Sequence, residues 1–245
     1  PRILKNSLFA TITCINSDKR LPDAIITGTG HGCIEELEKF LGQLIENNEL
    51  NLSPYSFIHS THSLIGSQLA LMQKIHGYNM NYVHGSTSFE HALIDAILYL
   101  QENNEKSVLV GGIDEISEYD LKLHGYLGYW KQNPCAGKML YRDKSSSGTI
   151  AGEGSNFFIL TNKSEKSILK VTDIKVLYKS TIEAVCTGIT ELLERNNLTI
   201  STIDALVEGF NGDYENDELY KQLNSKLGSE SKPLLCYKHL CGEYH

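Results

Sequence analysis

Tyr82-Val83-His84-Gly85-Ser86-Thr87-Ser88-Phe89-Glu90 decides how the chain is read: a β-rich run ends at Val83, a helix begins near Ser88, and Ser86 stands at the corner between them. Backbone N–H groups at such a helix start stabilise negative charge, which is why enzymes place nucleophiles there. This corner offers a hydroxyl and no thiol. His84 and Ser88 stand where a serine-hydrolase elbow requires glycines. Thr87 and Glu90 spell Thr-x-x-Glu, a capping box that would occupy the helix terminus with the protein's own side chains.

Outward from the corner, periodicity predicts alternating strands and helices. Upstream, Asp23 to Thr27 reads as a strand, Gly28, Gly30 and Gly32 as a turn, and Leu37, Phe40, Leu41, Leu44 and Ile45 as one helix face. Ser53 and Pro54 interrupt the pattern. A second helix then aligns Ile65, Leu69, Met72 and Ile75 and ends at Gly77, and Tyr78 to Val83 is a strand. Downstream, Ala92, Leu93, Ala96, Ile97 and Leu100 form a helix face, and Ser107 to Val110 a buried strand running into Gly111 and Gly112. Ser117 to Gly148, with Pro134, Trp130 and Ser145 to Ser147, reads as a long loop region.

Strand signal returns at Asn156 to Leu160 and at Ile168 to Leu177, with the polar stretch Thr161 to Ser167 as a boundary between halves. Ile182, Val185, Cys186, Ile189, Leu192 and Leu193 then align on a helix, followed by a strand at Ile203 to Val207, a shorter helix, and a strand at Leu234 to Tyr237. The repeated order of elements predicts a duplicated α/β architecture, with halves at 1–163 and 168–245.

Composition narrows the function classes. With 41% hydrophobic residues in 245, the chain can bury a substantial core. No apolar run is long enough for a membrane helix, and Pro1 to Ala10 lack a signal-peptide layout, so the expected location is the cytoplasm. A net charge of −8 without a basic face argues against nucleic acid or anionic membrane as partner. An acidic carrier would need a local basic patch. Cys14, Cys33, Cys135, Cys186, Cys236 and Cys241 are scattered and read as reduced thiols.

Three smaller constellations have ordinary explanations. Cys33 stands where a dinucleotide fingerprint needs its third glycine, which favours a tight turn over a nucleotide site. His59 and His62 lack an evident third ligand. Cys236, His239, Cys241 and His245 match no zinc spacing. Neither a cofactor nor a metal is expected.

The run from Leu52 to Asp114, with Gly152, Glu153, Gly154 and Lys238 to Gly242, resembles the β-ketoacyl-acyl-carrier-protein synthases of the thiolase superfamily, over nearly the whole chain. Leu52-Ser53-Pro54 is similar to the family's Ile-Ser-Pro, Gly111-Gly112 with Asp114 or Glu115 to its Gly-Gly-x-Glu, and Gly152-Glu153-Gly154 to its Gly-Glu-Gly. The resemblance implies a thiolase-like duplicated α/β/α/β/α layered fold. It also implies a cysteine nucleophile and two histidines that assist decarboxylation and oxyanion stabilisation. Ser86 falls at the cysteine position. The first histidine's counterpart lies within Gly209 to Gly212, near Phe210, where there is none. In the Lys-x-x-x-Gly-His motif Lys238 is retained and the histidine is Glu243.

Without thiolate or imidazole, condensation should be nearly absent. The departures look most like the non-catalytic chain-length-factor subunits of aryl-polyene and related pigment clusters. The implied partners are a catalytic ketosynthase (heterodimer) or a second copy (homodimer), joined at Tyr78 to Val83, and an acyl carrier protein. The family continues beyond the last motif, so the resemblance also implies an incomplete second half ending at His245. Two alternatives stay open: an acyltransferase or thioesterase using Ser86 with His84 or His91 as base, and a stand-alone acyl-binding or scaffold protein.

Overall fold

A computed structural model describes residues 1–133, 136–142, 146–163, 167–178 and 180–244. Pro134, Cys135, Ser145, His245 and the centre of the Thr161 to Ser167 stretch lie outside the described residues. The chain forms two compact units, Pro1–Glu118 with Glu153–Lys170 and Tyr244–His245, and Tyr119–Gly152 with Val171–Glu243.

The first unit runs α1 (Arg2–Asp18), β1 (Ala24–Gly28), α2 (Ile34–Glu46), α3 (Pro54–His59), α4 (Leu64–Gln73), β2 (Asn79–Tyr82), α5 (Ser88–Glu102), β3 (Ser107–Asp114) and β4 (Gly154–Thr161). Its sheet has the order β2-β1-β3-β4; β1 is parallel to both neighbours, and β4 is antiparallel to β3. Every residue of β1 is buried, as a nearly continuous apolar central strand requires when both faces are covered. Alternation divides the side chains. Ile25 and Leu109 join Ile3, Ile65 and Leu69 on one face, whereas Ala24, Ile26, Val108 and Val110 meet Ala92, Ala96 and Leu100 of α5 on the other.

The second unit contains α6 (Glu118–Tyr126, from Tyr119 onward), β5 (Leu206–Glu208), β6 (Leu234–Cys236), α7 (Ile182–Arg195), α8 (Tyr214–Leu227) and α9 (Lys238–Cys241). β5 and β6 pair in parallel as a two-stranded sheet.

Several expectations are corrected. The predicted strand at Ile168 to Leu177 does not form; Ile168 is 96% exposed, and no described strand lies beside it to complete a ladder. The loop region from Ser117 contains α6 and a 3-10 turn at Gly137–Met139. The helix between the last two strands, α8, is as long as α7. α4 ends at Lys74 in a left-handed cap, ahead of Gly77, and Met72 on its predicted stripe is exposed. No residue of α2 is fully buried despite its apolar face, and Leu41 and Ile45 lie open. The helix α1 was not foreseen at all.

Among the described residues no helix is long and apolar enough to cross a membrane, and no group of three His, Cys, Asp or Glu side chains could hold a metal ion. The described cysteines, Cys14, Cys33, Cys186, Cys236 and Cys241, are free.

Candidate functional site

β2 gives way to a 3-10 turn at Gly85–Thr87 that leads directly into α5. Gly85 sits at φ +59, a left-handed conformation that glycine adopts without Cβ strain. Ser86 follows it, exposed, with its hydroxyl bonded to no described residue. Ser88 holds the corner instead. It is buried, accepts a hydrogen bond from the His84 N–H at 2.8 Å, and lies 2.9 Å from the Thr29 carbonyl and 2.7 Å from that of Gly85, to which its hydroxyl donates. At the end of β1 a Cβ on Gly28 would come within 2.4 Å of the Ser88 carbonyl oxygen, so strand end and helix start touch through backbone.

The expected capping box is absent. Thr87 turns its hydroxyl back to the His84 carbonyl at 3.1 Å, and Glu90 Oε2 is buried without a hydrogen-bond partner among the described residues. The helix N–H groups are therefore not occupied as the Thr-x-x-Glu spelling suggests. Two histidines stand near the turn, with ring centroids 4.6 Å apart. His91 Nδ1 lies 2.7 Å from the Thr87 carbonyl, which accepts only, so Nδ1 is the donor in this bond.

The glycine turn after β1 is filled by the Gly-Gly-x-Asp-Glu segment. Asp114 Oδ1 accepts from Gly30 N at 2.7 Å and from the Thr29 hydroxyl at 3.1 Å, and Glu115 accepts from Glu35 N at the start of α2. Donors that a nucleotide phosphate would need are already engaged, which supports the turn reading. Burial raises the pKa of Glu115, partly offset by its hydrogen bond from the Glu35 backbone. Glu153 of Gly-Glu-Gly is held by Arg2 and by the Ile116 N–H.

In the second unit Lys238 Nζ lies 2.5 Å from Glu243 Oε1, and Asn211 Nδ2 donates to Glu243 Oε2 at 2.9 Å. Both carboxylate oxygens thus have a protein donor. Burial alone would depress the Lys238 pKa, but the hydrogen bond and charge of Glu243 more than offset it, and the net shift is upward. The backbone fixes Glu243 as well, since its N–H donates to Ile150 O and its carbonyl accepts from Gly152 N. Gly242 makes this approach possible: at φ +77, a Cβ there would sit 2.7 Å from Gly152 Cα.

Asn211, 6% exposed, is the residue that sequence reasoning missed. Its N–H donates to Asp217, its carbonyl accepts from the Thr149 hydroxyl, and its side chain reaches Glu243. The signal in sequence was an Asn between Phe210 and Gly212, directly before Asp213 caps α8. Phe210 stacks on Tyr220 at 5.0 Å, and its carbonyl accepts from Tyr141. Ser86 belongs to the first unit, whereas Phe210, Lys238 and Glu243 belong to the second.

A family profile described as beta-ketoacyl synthase, N-terminal domain, matches residues 7–166. No curated protein matches the chain. A β-ketoacyl synthase from Burkholderia phymatum STM815 superposes with a TM-score of 0.74 at 13% identity, covering 97% of this chain and 64% of that one. The ishigamide ketosynthase/chain length factor gives 0.75 at 14%, covering 98% and 64%. A type II PKS acyl-carrier protein in complex with its ketosynthase bound to the hexaketide gives 0.75 at 13%, covering 98% and 67%. At these identities the likeness shows the fold, a thiolase-like layered α/β arrangement. The chain spans 64% of the length of the first two of these structures.

Proposed function

The chain belongs to the β-ketoacyl synthase family, and from that premise we propose that it is a non-condensing subunit that pairs with a catalytic β-ketoacyl-acyl-carrier-protein synthase in acyl-carrier-dependent fatty acid or polyketide chain extension. The observation that carries the proposal is the Lys238–Glu243–Asn211 tie. At the second histidine position an active enzyme needs a donor aimed at a developing oxyanion. Glu243 offers a carboxylate with both oxygens engaged, a group that repels such charge and has no proton to give when ionised. Near the first histidine position, within Gly209 to Gly212, Phe210 is an apolar ring stacked on Tyr220. At the cysteine position Ser86 is a hydroxyl, which forms an alkoxide far less readily than a thiol forms a thiolate.

The proposed partner surface is the outer edge of β2. That strand ends the sheet, pairs only with β1 among the described residues, and contains no proline. Two of the solved neighbours are described with a chain length factor and with an acyl-carrier protein, and these are the partner classes the proposal adopts. Residues 1–163 and 168–245 are proposed as the two halves of the thiolase-like layout.

Two measurements test this reading. Incubation with acyl-carrier-protein thioesters should leave the intact mass unchanged; a stable acyl adduct that disappears in Ser86→Ala would establish serine acyl transfer instead. Co-expression with a catalytic ketosynthase encoded next to this chain should give co-elution on size exclusion wherever such a gene is found, and separate peaks would favour a stand-alone role.

A further inference from the structure

The open β2 edge adjoins the most one-sided charge in the first unit. From Gly77 to Glu105 the sequence carries four carboxylates, Glu90, Asp95, Glu102 and Glu105, and no Lys or Arg. Glu105 is matched by Lys163. On α5, His91, Asp95, Leu98 and Glu102 recur at helical spacing and form one stripe, with Leu98 and Glu102 exposed.

Hydrogen bonding fixes how this stripe meets the edge. The carbonyls of Tyr78 and Tyr82 accept from Ile25 and Thr29, so by alternation the backbone groups of Asn79 and Asn81 point outward, away from β1. The Asn79 and Asn81 side chains bond Gly66 and Thr27 on the α4 face. Tyr78 and Tyr82 lie on the α5 face, where the Tyr78 phenol donates to Asp95 at 3.1 Å. Asp95 is thus tied to the edge strand through Tyr78. Among the described residues no Lys, Arg or His pairs with it.

A second copy joined to this edge by antiparallel pairing would be related by a two-fold axis perpendicular to the sheet. Equivalent faces would then lie on the same side, bringing two α5 stripes toward each other, each with Asp95 and Glu102 and neither with a Lys or Arg on its helix. Like charges facing across a desolvating seam disfavour the pairing. We infer that the α5 stripe acts as a charge filter for the β2 edge: it rejects a second copy of this chain and accepts a protein whose own helix beside the pairing strand brings Lys or Arg against Asp95 and Glu102. The inference rests on the β2-edge reading given above.

The test uses the full chain and a charge-reversed copy of it, D95K/E102K, as the cation-bearing probe in sedimentation velocity. Each protein alone should be monomeric, and the equimolar mixture should form a dimer at least about tenfold tighter than either self-association, weakening as salt rises. Wild type that self-associates as tightly as the mixture overturns the charge filter, and so does a mixture that forms no dimer. N81P and V83P, each introduced into both copies and checked for fold by circular dichroism, test the edge separately. Loss of the dimer in either folded variant upholds the edge even if the filter fails, and persistence of the dimer in both overturns the edge reading together with the inference.

Discussion

At Lys238 two effects oppose each other: burial disfavours the ammonium, while the hydrogen bond and charge of Glu243 favour it, and the second prevails. A lysine whose folded pKa lies above its unfolded value contributes stability that is fully present below the unfolded value, about 10.4, and is lost as pH rises through the folded one. Stability measured by urea unfolding should therefore fall above about pH 10, and Lys238→Met should flatten that alkaline limb. Glu243→Gln should cost about 1–3 kcal/mol at pH 7, because it leaves a largely buried ammonium short of its counter-charge. A loss below about 0.5 kcal/mol would show the tie to be incidental. The candidate positions Ser86, Lys238 and Glu243 come from motif spacing, which is read along the chain. Asn211 was not, because its role exists only where two distant segments meet.

At the scale of elements, the start of α5 shows how a correct motif can mislead. Thr87-x-x-Glu90 has the spelling of a capping box, yet Thr87 lies in a 3-10 turn and its hydroxyl faces backward. Ser88 secures the corner instead, through His84, Thr29 and Gly85, and none of these is a helix N–H group that the box would have capped. Ser88→Ala should cost about 1–3 kcal/mol, since it strands the His84 N–H, whereas Thr87→Ala should cost under about 0.5 kcal/mol. Thermal unfolding of the two variants decides between them, and equal losses would restore the capping box. α1 escaped detection because its buried positions, Ile3, Ser7 and Thr11, are mostly hydroxylic, while Phe9 is 76% exposed. The Ser7 hydroxyl is satisfied by the Ile3 carbonyl and Ser155, so the helix buries a polar stripe that periodicity scores as outward. The opposite error occurred at Ile168 to Leu177, where β-forming residues pair with no strand among the described residues.

At the scale of the molecule, the unpaired edge of β2 and the two-stranded sheet of the second unit leave strand surface open. Small sheets are marginal alone and open edges recruit other chains. Hydrogen exchange should register this at Asn79 and Asn81, whose backbone points outward. Peptides covering these residues should exchange rapidly in the isolated chain and become protected at least about tenfold in complex with a ketosynthase. Unchanged exchange in a complex that demonstrably forms would place the interface elsewhere.

The sequence by itself determined the alternating α/β order and the buried central strands, because hydrophobic period is a local property. Only the tertiary structure decided that β2 and β4 end the sheet, that Asp114 fills the glycine turn, that Ser88 rather than Thr87 secures the corner at Ser86, and that Asn211 and Lys238 hold Glu243. Those outcomes depend on which hydrogen-bond partner comes nearest among groups far apart in the chain, and packing alone sets that.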